Sequence, residues 1–136
     1  KPNMQELFEL FGMEPVSDRT VVRKLALQLV QDGVAYVLVS LGSEGGILAG
    51  REGCWEAVIP SVQVTSTIGS GDSTVAGFAI GLRKSWSMEE IFRFSMACGI
   101  ANAMEKQVGR VDPERLEMIK NEIRIKNIPN KEVSYL

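Results

Sequence analysis

The sequence contains no histidine among its 136 residues, and this absence removes several kinds of catalysis. Serine–histidine triads, imidazole acid–base chemistry and most zinc sites all need that side chain. There are only two cysteines, Cys54 and Cys98, and they lie far apart without a partner motif. A buried or partly exposed thiol is therefore favoured over a disulfide framework or a zinc site.

Long apolar runs and an excess of basic charge are also missing. The longest apolar stretch, residues 34–41, is far shorter than the roughly 20 residues that cross a bilayer. No signal-peptide pattern opens the chain. The net charge of -2 provides no attraction for a phosphate backbone or an anionic membrane. We therefore expect a cytoplasmic protein without a nucleic-acid or membrane partner.

The composition that remains is typical of an ordered globular protein. Hydrophobic residues make up 45% of the chain, which is enough for one sizeable core, and the length favours a single domain. The first residues, Lys1 and Pro2, are neither an initiator methionine nor part of a targeting sequence. We therefore expect the sequence to begin partway through a longer protein.

Hydrophobic spacing predicts helices and strands in the first part of the chain. Residues 3–11 and 21–31 carry apolar side chains at helical spacing. Residues 34–41 form a nearly continuous β-favouring run, as in a strand that is buried on both faces of a sheet. Glycines then separate two short segments, 47–49 and 55–59, which suit the strands of a hairpin.

Helix-capping residues predict the later elements. Ser87 is placed to cap a helix over residues 88–105, and Asp112 is placed to cap one over residues 113–123. Residues 126–136 are polar and are predicted to be a frayed tail. The order of elements is α/β in character, with helices covering a twisted sheet. Because few strands are present, we expect further strands in a missing segment.

The most informative segment is a glycine-rich turn, Gly69-Ser70-Gly71-Asp72, that opens an apolar helix. Unpaired N–H groups of the first helical turn and the helix dipole favour an anion above the turn. Glycines allow positive φ angles and a close approach of the backbone to a phosphate. Asp72 would then be placed to accept a proton from an attacking hydroxyl. Its alternative role is a favourable negative charge at a helix start.

Residues 68–78, Ile-Gly-Ser-Gly-Asp-Ser-Thr-Val-Ala-Gly-Phe, resemble the C-terminal signature of the ribokinase-like (PfkB) carbohydrate kinases. In that family a Gly-(Ala/Ser)-Gly-Asp core leads into a helix of small residues. The resemblance implies that Asp72 is the base that takes the acceptor hydroxyl's proton, and that Gly69, Ser70 and Gly71 form the anion hole for the transferred phosphoryl group. It also implies the C-terminal part of a three-layer α/β/α fold.

The start of the chain resembles a second family element. Lys1-Pro2-Asn3, with Glu6 three positions later, is similar to the Lys-Pro-Asn-x-x-Glu pattern of these kinases. The resemblance implies that Asn3 and Glu6 help to hold magnesium and phosphate, and hard oxygen ligands suit that ion. The alternative is an ordinary helix start, in which an Asn cap is followed by an acidic residue.

Two further segments resemble nucleotide contacts of the family. Residues 39–46 follow the buried strand and are similar to its Ser/Thr-Leu-Gly-x-x-Gly segment, which implies that Ser40, Gly42 and Gly45 contact the nucleotide. Ligands of α/β folds bind at the carboxyl ends of strands, although a plain hairpin turn is the alternative. Asn102 lies where a helix closes the family's adenine pocket, and its alternative is a solvent-facing helical position.

One segment departs from the family pattern. Residues 66–68 are Ser-Thr-Ile, whereas members activated by monovalent cations typically have Asp-Thr-Thr before the anion hole. The resemblance therefore does not carry over a ribokinase-type potassium site. Together with Lys-Pro-Asn, this approach to the turn is more similar to the tagatose-6-phosphate kinase and 1-phosphofructokinase branch. The similarity runs to about residue 125 and matches only the family's C-terminal half.

The resemblance implies a reaction and its participants. ATP and magnesium would transfer a phosphoryl group to a hydroxyl of tagatose 6-phosphate or fructose 1-phosphate, giving a hexose bisphosphate. The intact enzyme is expected to be a homodimer. Because most sugar contacts and the lid belong to the missing half, we expect the chain alone to bind nucleotide weakly and to have little kinase activity.

Other functions with a glycine-rich turn fit the sequence less well. A dinucleotide-binding domain of an oxidoreductase needs a third glycine, but Thr74 stands where it should fall. The Gly-x4-Gly-Lys-Ser/Thr pattern of a Walker A loop does not occur. A nucleotide-binding regulatory module that has lost catalysis is the third alternative, and the intact Asp72 turn argues against it.

Overall fold

The computed structural model describes residues 1–129 as five α-helices, four β-strands and one short 3-10 turn. The helices are α1 (Met4–Leu10), α2 (Arg19–Gln31), α3 (Ser70–Arg83), α4 (Met88–Ala103) and α5 (Pro113–Glu122). The strands are β1 (Tyr36–Ser40), β2 (Gly46–Gly50), β3 (Gly53–Val58) and β4 (Arg124–Ile128), and the 3-10 turn is Gly42–Glu44. This combination of helices with one sheet confirms the α/β class predicted from the sequence.

The four strands form one sheet in the order β1-β2-β3-β4. β1 and β2 are antiparallel, with Tyr36 opposite Gly50 and Ser40 opposite Gly46. On the other side of β1, Asn3 forms an isolated parallel bridge with Ser40. The three central residues of β1 are buried, which confirms the strand predicted from its continuous apolar run.

The chain divides into two compact units, whereas its length favours a single domain. Unit 1 contains residues 1–56 together with the chain from residue 126 onward, and unit 2 contains residues 57–125. In unit 1, α1 and α2 pack on β1 and β2. Its core consists of buried apolar side chains from these elements, from β3 and from β4: Leu7, Phe8, Val22, Leu25, Ala26, Val30, Val37, Val39, Ile47, Ala49, Cys54 and Ile128.

The predicted frayed tail is wrong for its first residues. Residues 126–128 belong to β4, and Ile128 is only 4% exposed in the core of unit 1. This strand could not be predicted from the sequence, because its other residues are exposed or half-buried and the segment therefore lacks an apolar run. Residues 130–136, the rest of the predicted tail, lie outside the described residues.

Unit 2 is built around the helices α3 and α4, which are consecutive in the chain and approach each other closely at small residues. A Cβ atom placed on Gly77 would lie 2.9 Å from the Cys98 Sγ atom, and one on Gly81 would lie 2.7 Å from Ile91 Cγ1. Such distances leave no room for a methyl group. The glycines therefore set how closely the two helices pack.

The helix starts follow the predicted capping residues. Asn3, Ser87 and Asp112 each accept a hydrogen bond from a backbone N–H of the first helical turn. The pattern predicts a helix from residue 21, but α2 begins at Arg19 because the Asp18 side chain accepts from the Thr20 N–H. None of the helices between residues 1 and 129 has the length and apolar content of a transmembrane span.

Candidate active site

The glycine-rich turn in unit 2 has the geometry of an anion site. Gly69 caps α3 in the left-handed region, with φ 81° and ψ -5°, and has no side chain to occupy the helix start. The turn is closed by the Ser70 hydroxyl, which donates to the Thr67 carbonyl at 2.7 Å. The N–H groups of Gly71 and Asp72 donate to no other described residue. They are therefore free to bind an anion.

Asp72 lies in the first turn of α3 and its side chain is exposed. A carboxylate in this position stabilises the helix through the dipole, so the alternative role predicted from the sequence holds at the same time. Exposure also leaves the carboxylate accessible to a second molecule bound beside the turn. The arrangement places a proton acceptor next to unpaired N–H donors.

The turn is supported from behind by α4. The Thr74 hydroxyl is buried and donates to the Ser70 carbonyl at 2.8 Å. Gly99 of α4 faces the same two groups, since a Cβ atom there would lie 2.2 Å from Thr74 Oγ1 and 3.0 Å from the Ser70 oxygen. Sequence reasoning missed Thr74 and Gly99. A glycine inside a helix signals close packing, but its partner is known only once the helices are placed.

Asn102 is buried, with 1% of its surface exposed, so the solvent-facing alternative is wrong. Its Nδ2 atom donates to the Arg110 carbonyl at 2.9 Å and to the Gln107 carbonyl at 3.4 Å. These bonds hold the loop of residues 104–110 beside the turn. A Cβ atom on Gly69 would lie 2.5 Å from Val108 Cγ1 and 3.3 Å from Asn102 Oδ1. Asn102 thus fixes one wall of the candidate anion site.

The Asn102 side-chain oxygen has no hydrogen-bond partner within residues 1–129. An unpaired buried amide oxygen costs free energy, and a donor that reaches it would recover part of that cost. A direct contact between Asn102 and a nucleotide remains a prediction. The observed bonds give Asn102 a role in positioning the loop, which the sequence did not indicate.

Asn3 and Glu6 in unit 1 form a complete capping box. The Asn3 side chain accepts from the Glu6 N–H at 2.8 Å, and Glu6 Oε2 accepts from the Asn3 N–H at 2.8 Å. The ordinary helix start predicted as the alternative is therefore confirmed. The capping box does not conflict with the predicted role in holding magnesium and phosphate, because each side chain still has exposed surface.

The Asn3 and Glu6 side chains fit a magnesium ion only if waters and substrate phosphates supply its other ligands. Among residues 1–129 there is no cluster of three or more metal-ligating Cys, Asp or Glu side chains. Magnesium in phosphoryl-transfer enzymes usually retains several waters and uses one or two carboxylates together with substrate phosphates. The Glu6 carboxylate has one oxygen in the capping box and a second that accepts from no described residue, which meets this modest requirement.

Ser40 is the last residue of β1, Gly42 is the first residue of the 3-10 turn, and Gly45 follows that turn. The Ser40 N–H donates to the Pro2 carbonyl at 3.1 Å, and its hydroxyl accepts from Lys1 Nζ at 3.2 Å. Gly42 and Gly45 have φ angles of 58° and 90°, which favour glycine. Ser40 and Asn3, which are far apart in sequence, are thus adjacent at one end of β1.

The predicted site residues therefore form two groups, one in each unit. Unit 1 brings together Asn3, Glu6, Ser40, Gly42 and Gly45. Unit 2 brings together the turn of residues 69–72 and Asn102.

The two cysteines contribute no reactive group to either set. Both thiols are free and buried. Burial raises the pKa of Cys54 to about 11, an effect that the Arg23 guanidinium partly opposes. Burial likewise raises the pKa of Cys98 to about 11. Near neutral pH both are uncharged thiols, which is the buried role favoured by the sequence.

Comparison with known proteins identifies a family for most of the chain. The pfkB family carbohydrate kinase model matches residues 1–115. Tagatose-6-phosphate kinases of two Staphylococcus epidermidis strains are 34% identical over 125 residues, which is 92% of this chain and 40% of theirs.

Solved structures give the same result at the level of the backbone. A Staphylococcus aureus protein assigned as a phosphofructokinase is 36% identical, with a TM-score of 0.86 over 94% of this chain and 41% of its own. Phosphofructokinase-2 from Escherichia coli in complex with potassium is 33% identical, with a TM-score of 0.80 over 88% of this chain and 39% of its own. The chain thus spans about two fifths of the length of these relatives.

Proposed function

Because the chain belongs to the pfkB family of carbohydrate kinases, we propose that it is the nucleotide-binding and catalytic part of an ATP-dependent sugar-phosphate kinase. The PfkB resemblance and the ribokinase-like α/β fold are confirmed by the relatives above. The observation that carries the proposal is the turn of residues 69–72, where unpaired N–H groups lie beside an exposed carboxylate. The family match favours this function over a dinucleotide-binding domain of an oxidoreductase.

The proposed reaction is phosphoryl transfer from ATP to a hydroxyl of a phosphorylated hexose, which gives a hexose bisphosphate. The similarity to tagatose-6-phosphate kinase supports tagatose 6-phosphate as the acceptor, and fructose 1-phosphate is the second candidate. We also propose a homodimer for the intact enzyme. A tetrameric inhibited form is known for the Escherichia coli phosphofructokinase-2 that the chain resembles, so the related fold does assemble.

In the proposed mechanism, Asp72 accepts the proton of the attacking hydroxyl while the Gly71 and Asp72 N–H groups stabilise charge on the transferred group. A general base contributes about 10²- to 10⁴-fold in rate, and preorganised N–H donors at an oxyanion contribute a similar amount. Ser40, Gly42 and Gly45 are proposed to contact the nucleotide. Magnesium, held through Glu6 and the Asn3 side chain, would neutralise phosphate charge.

The Asp72→Asn substitution tests the catalytic role in the full-length parent protein. The change keeps the size of an exposed side chain, so folding and nucleotide binding should persist. We expect kcat with tagatose 6-phosphate to fall by about 10²- to 10⁴-fold with little change in the Kd for MgADP. An unchanged kcat would refute the assignment of Asp72 as the base. Parallel assays with fructose 1-phosphate, in potassium and in sodium buffers, determine the acceptor and any monovalent-cation dependence.

A calorimetric titration of this chain with MgATP and MgADP tests the nucleotide site separately. We propose that the chain alone binds weakly and has little kinase activity. Gly71→Val should abolish the binding, because a branched side chain would occupy the space above the turn. If the chain alone turns over substrate about as fast as the full-length protein, the proposal that it has little kinase activity by itself is wrong.

A further inference from the structure

One arginine of unit 1 joins three elements around the predicted nucleotide turn. Arg19 is the first residue of α2, and its Nη2 atom donates to the Glu44 carbonyl in the 3-10 turn. Its Nη1 atom lies 3.6 Å from Glu56 Oε2 on β3. A single guanidinium therefore links the helix start, the turn and the strand. Arginine suits this role because its donors are held in a rigid plane.

The ion pair with the Glu56 carboxylate orients the Arg19 side chain toward the 3-10 turn. Its side chain is only 13% exposed, and its other oxygen, Oε1, pairs with Arg23 Nη1. Arg23 lies one helical turn after Arg19, and its Nη2 atom also donates to Thr20 Oγ1 at 3.1 Å. A largely buried carboxylate shared by two arginines holds both side chains in place more firmly than an exposed pair. Arg23 makes no hydrogen bond to the 3-10 turn.

The turn that Arg19 contacts needs an external support. Its own backbone bonds are three: the Leu41 N–H donates to the Gly45 oxygen at 2.9 Å, the Glu44 N–H to the Leu41 oxygen at 3.1 Å, and the Gly45 N–H to the Gly42 oxygen at 3.2 Å. Both glycines have positive φ angles. Glycine also has the largest conformational freedom of any residue, so an unsupported turn with two glycines samples many other conformations.

We infer that Arg19 is a positioning residue for nucleotide binding, which fixes the 3-10 turn so that Gly42 and Gly45 are ordered before the nucleotide arrives. The inference rests on the proposed function. A preordered turn binds more tightly, because the ligand does not have to order it. Arg19 is one-third exposed, so the bond is partly screened. We expect Arg19→Ala to weaken MgADP binding by about three- to tenfold.

Arg23→Ala is the matched control, since it removes a guanidinium from the same carboxylate without touching the turn. Amide hydrogen exchange measured by NMR on the whole chain reports the turn directly. We expect the Leu41 and Gly45 amides to exchange faster in Arg19→Ala than in Arg23→Ala. Arg19→Lys, which retains a donor for the Glu44 carbonyl, should restore part of the protection.

The same NMR samples are then titrated with MgADP to millimolar concentration, which makes weak affinities measurable. Weaker binding in Arg19→Ala than in Arg23→Ala supports the inference. Equal Kd values for the two variants, or unchanged exchange of the turn amides in Arg19→Ala, would overturn it while leaving the proposed function in place. If the unaltered chain and the full-length protein both bind no nucleotide, the proposed function fails, and the inference fails with it.

Discussion

Replacing Gly99 by alanine tests the close approach of α3 and α4 behind the glycine-rich turn of residues 69–72. The new Cβ atom would lie 2.2 Å from Thr74 Oγ1, about an ångström closer than such atoms normally approach. Thr74 is buried, so it can move away only by giving up its 2.8 Å bond to the Ser70 carbonyl or by pushing the helices apart. Either movement disturbs the turn of residues 69–72.

Two effects of opposite sign decide the magnitude. Alanine is better than glycine in a helix interior by about 1 kcal/mol. Overpacking a filled interface costs about 1–3 kcal/mol, and the lost Thr74 hydrogen bond costs about 1 kcal/mol more. The net expectation is that Gly99→Ala lowers the free energy of unfolding by about 1–3 kcal/mol. Urea denaturation followed by circular dichroism should then show a midpoint lower by about 1 M.

A second substitution separates the steric cause from other effects. Thr74→Ala removes the Oγ1 atom that the new methyl group would meet, and the Thr74 Cβ atom lies at an ordinary 3.5 Å. In the Thr74→Ala background, where the Ser70 oxygen at 3.0 Å is the tightest remaining contact, we expect Gly99→Ala to cost much less than in the wild-type chain, with a coupling free energy above about 1 kcal/mol. If Gly99→Ala leaves the wild-type chain as stable as before, or if Thr74→Ala does not relieve its effect, the packing described here is incorrect.

Three further predictions concern other positions. Asn102→Ala should lower the free energy of unfolding by about 1–3 kcal/mol in urea denaturation, because the Gln107 and Arg110 carbonyls lose the donor that holds the 104–110 loop. Gly69→Ala should destabilise the chain through its positive φ angle and its contact with Val108, and Val108→Ala should relieve only the second part. Burial raises the pKa of Cys54 and Cys98 to about 11, so both thiols should react slowly with a disulfide reagent at pH 8 and rapidly in urea. An exposed cysteine, as in the unfolded chain, has a pKa of about 8.5, so the folded chain holds these two protons more tightly than the unfolded chain does. The stability that this difference contributes is fully present below about pH 8.5 and should be lost as the pH rises to about 11. Denaturation at a series of pH values measures this loss.

Elements defined by local signals could be predicted from the sequence. The continuous apolar run of β1 and the caps at Asn3, Ser87 and Asp112 each depend on residues that are neighbours in the chain. The structure therefore contains these elements close to their predicted bounds. The glycine-rich turn belongs to the same class, because its glycines and its helix are contiguous.

Features that depend on distant partners could not be predicted. β4 has one buried side chain, Ile128, and exists because β3 supplies a partner edge. Gly99 has no local reason to be glycine until Thr74 is placed against it. Asn102 is polar but buried, since its donors find carbonyls five and eight residues later in the chain. In each case the deciding contact is with a residue that spacing alone does not identify.

The division of the chain into a contiguous unit 2 and an interrupted unit 1 has a consequence for biosynthesis. Residues 57–125 are continuous, and the contacts between α3 and α4, which are neighbours in the chain, are of the local kind that favours fast folding. Unit 1 begins with residues that are made before unit 2, but its core includes Ile128, which is synthesised after all of unit 2. Domains usually mature in the order of synthesis. Of these two units, the one whose synthesis begins earlier is therefore completed later.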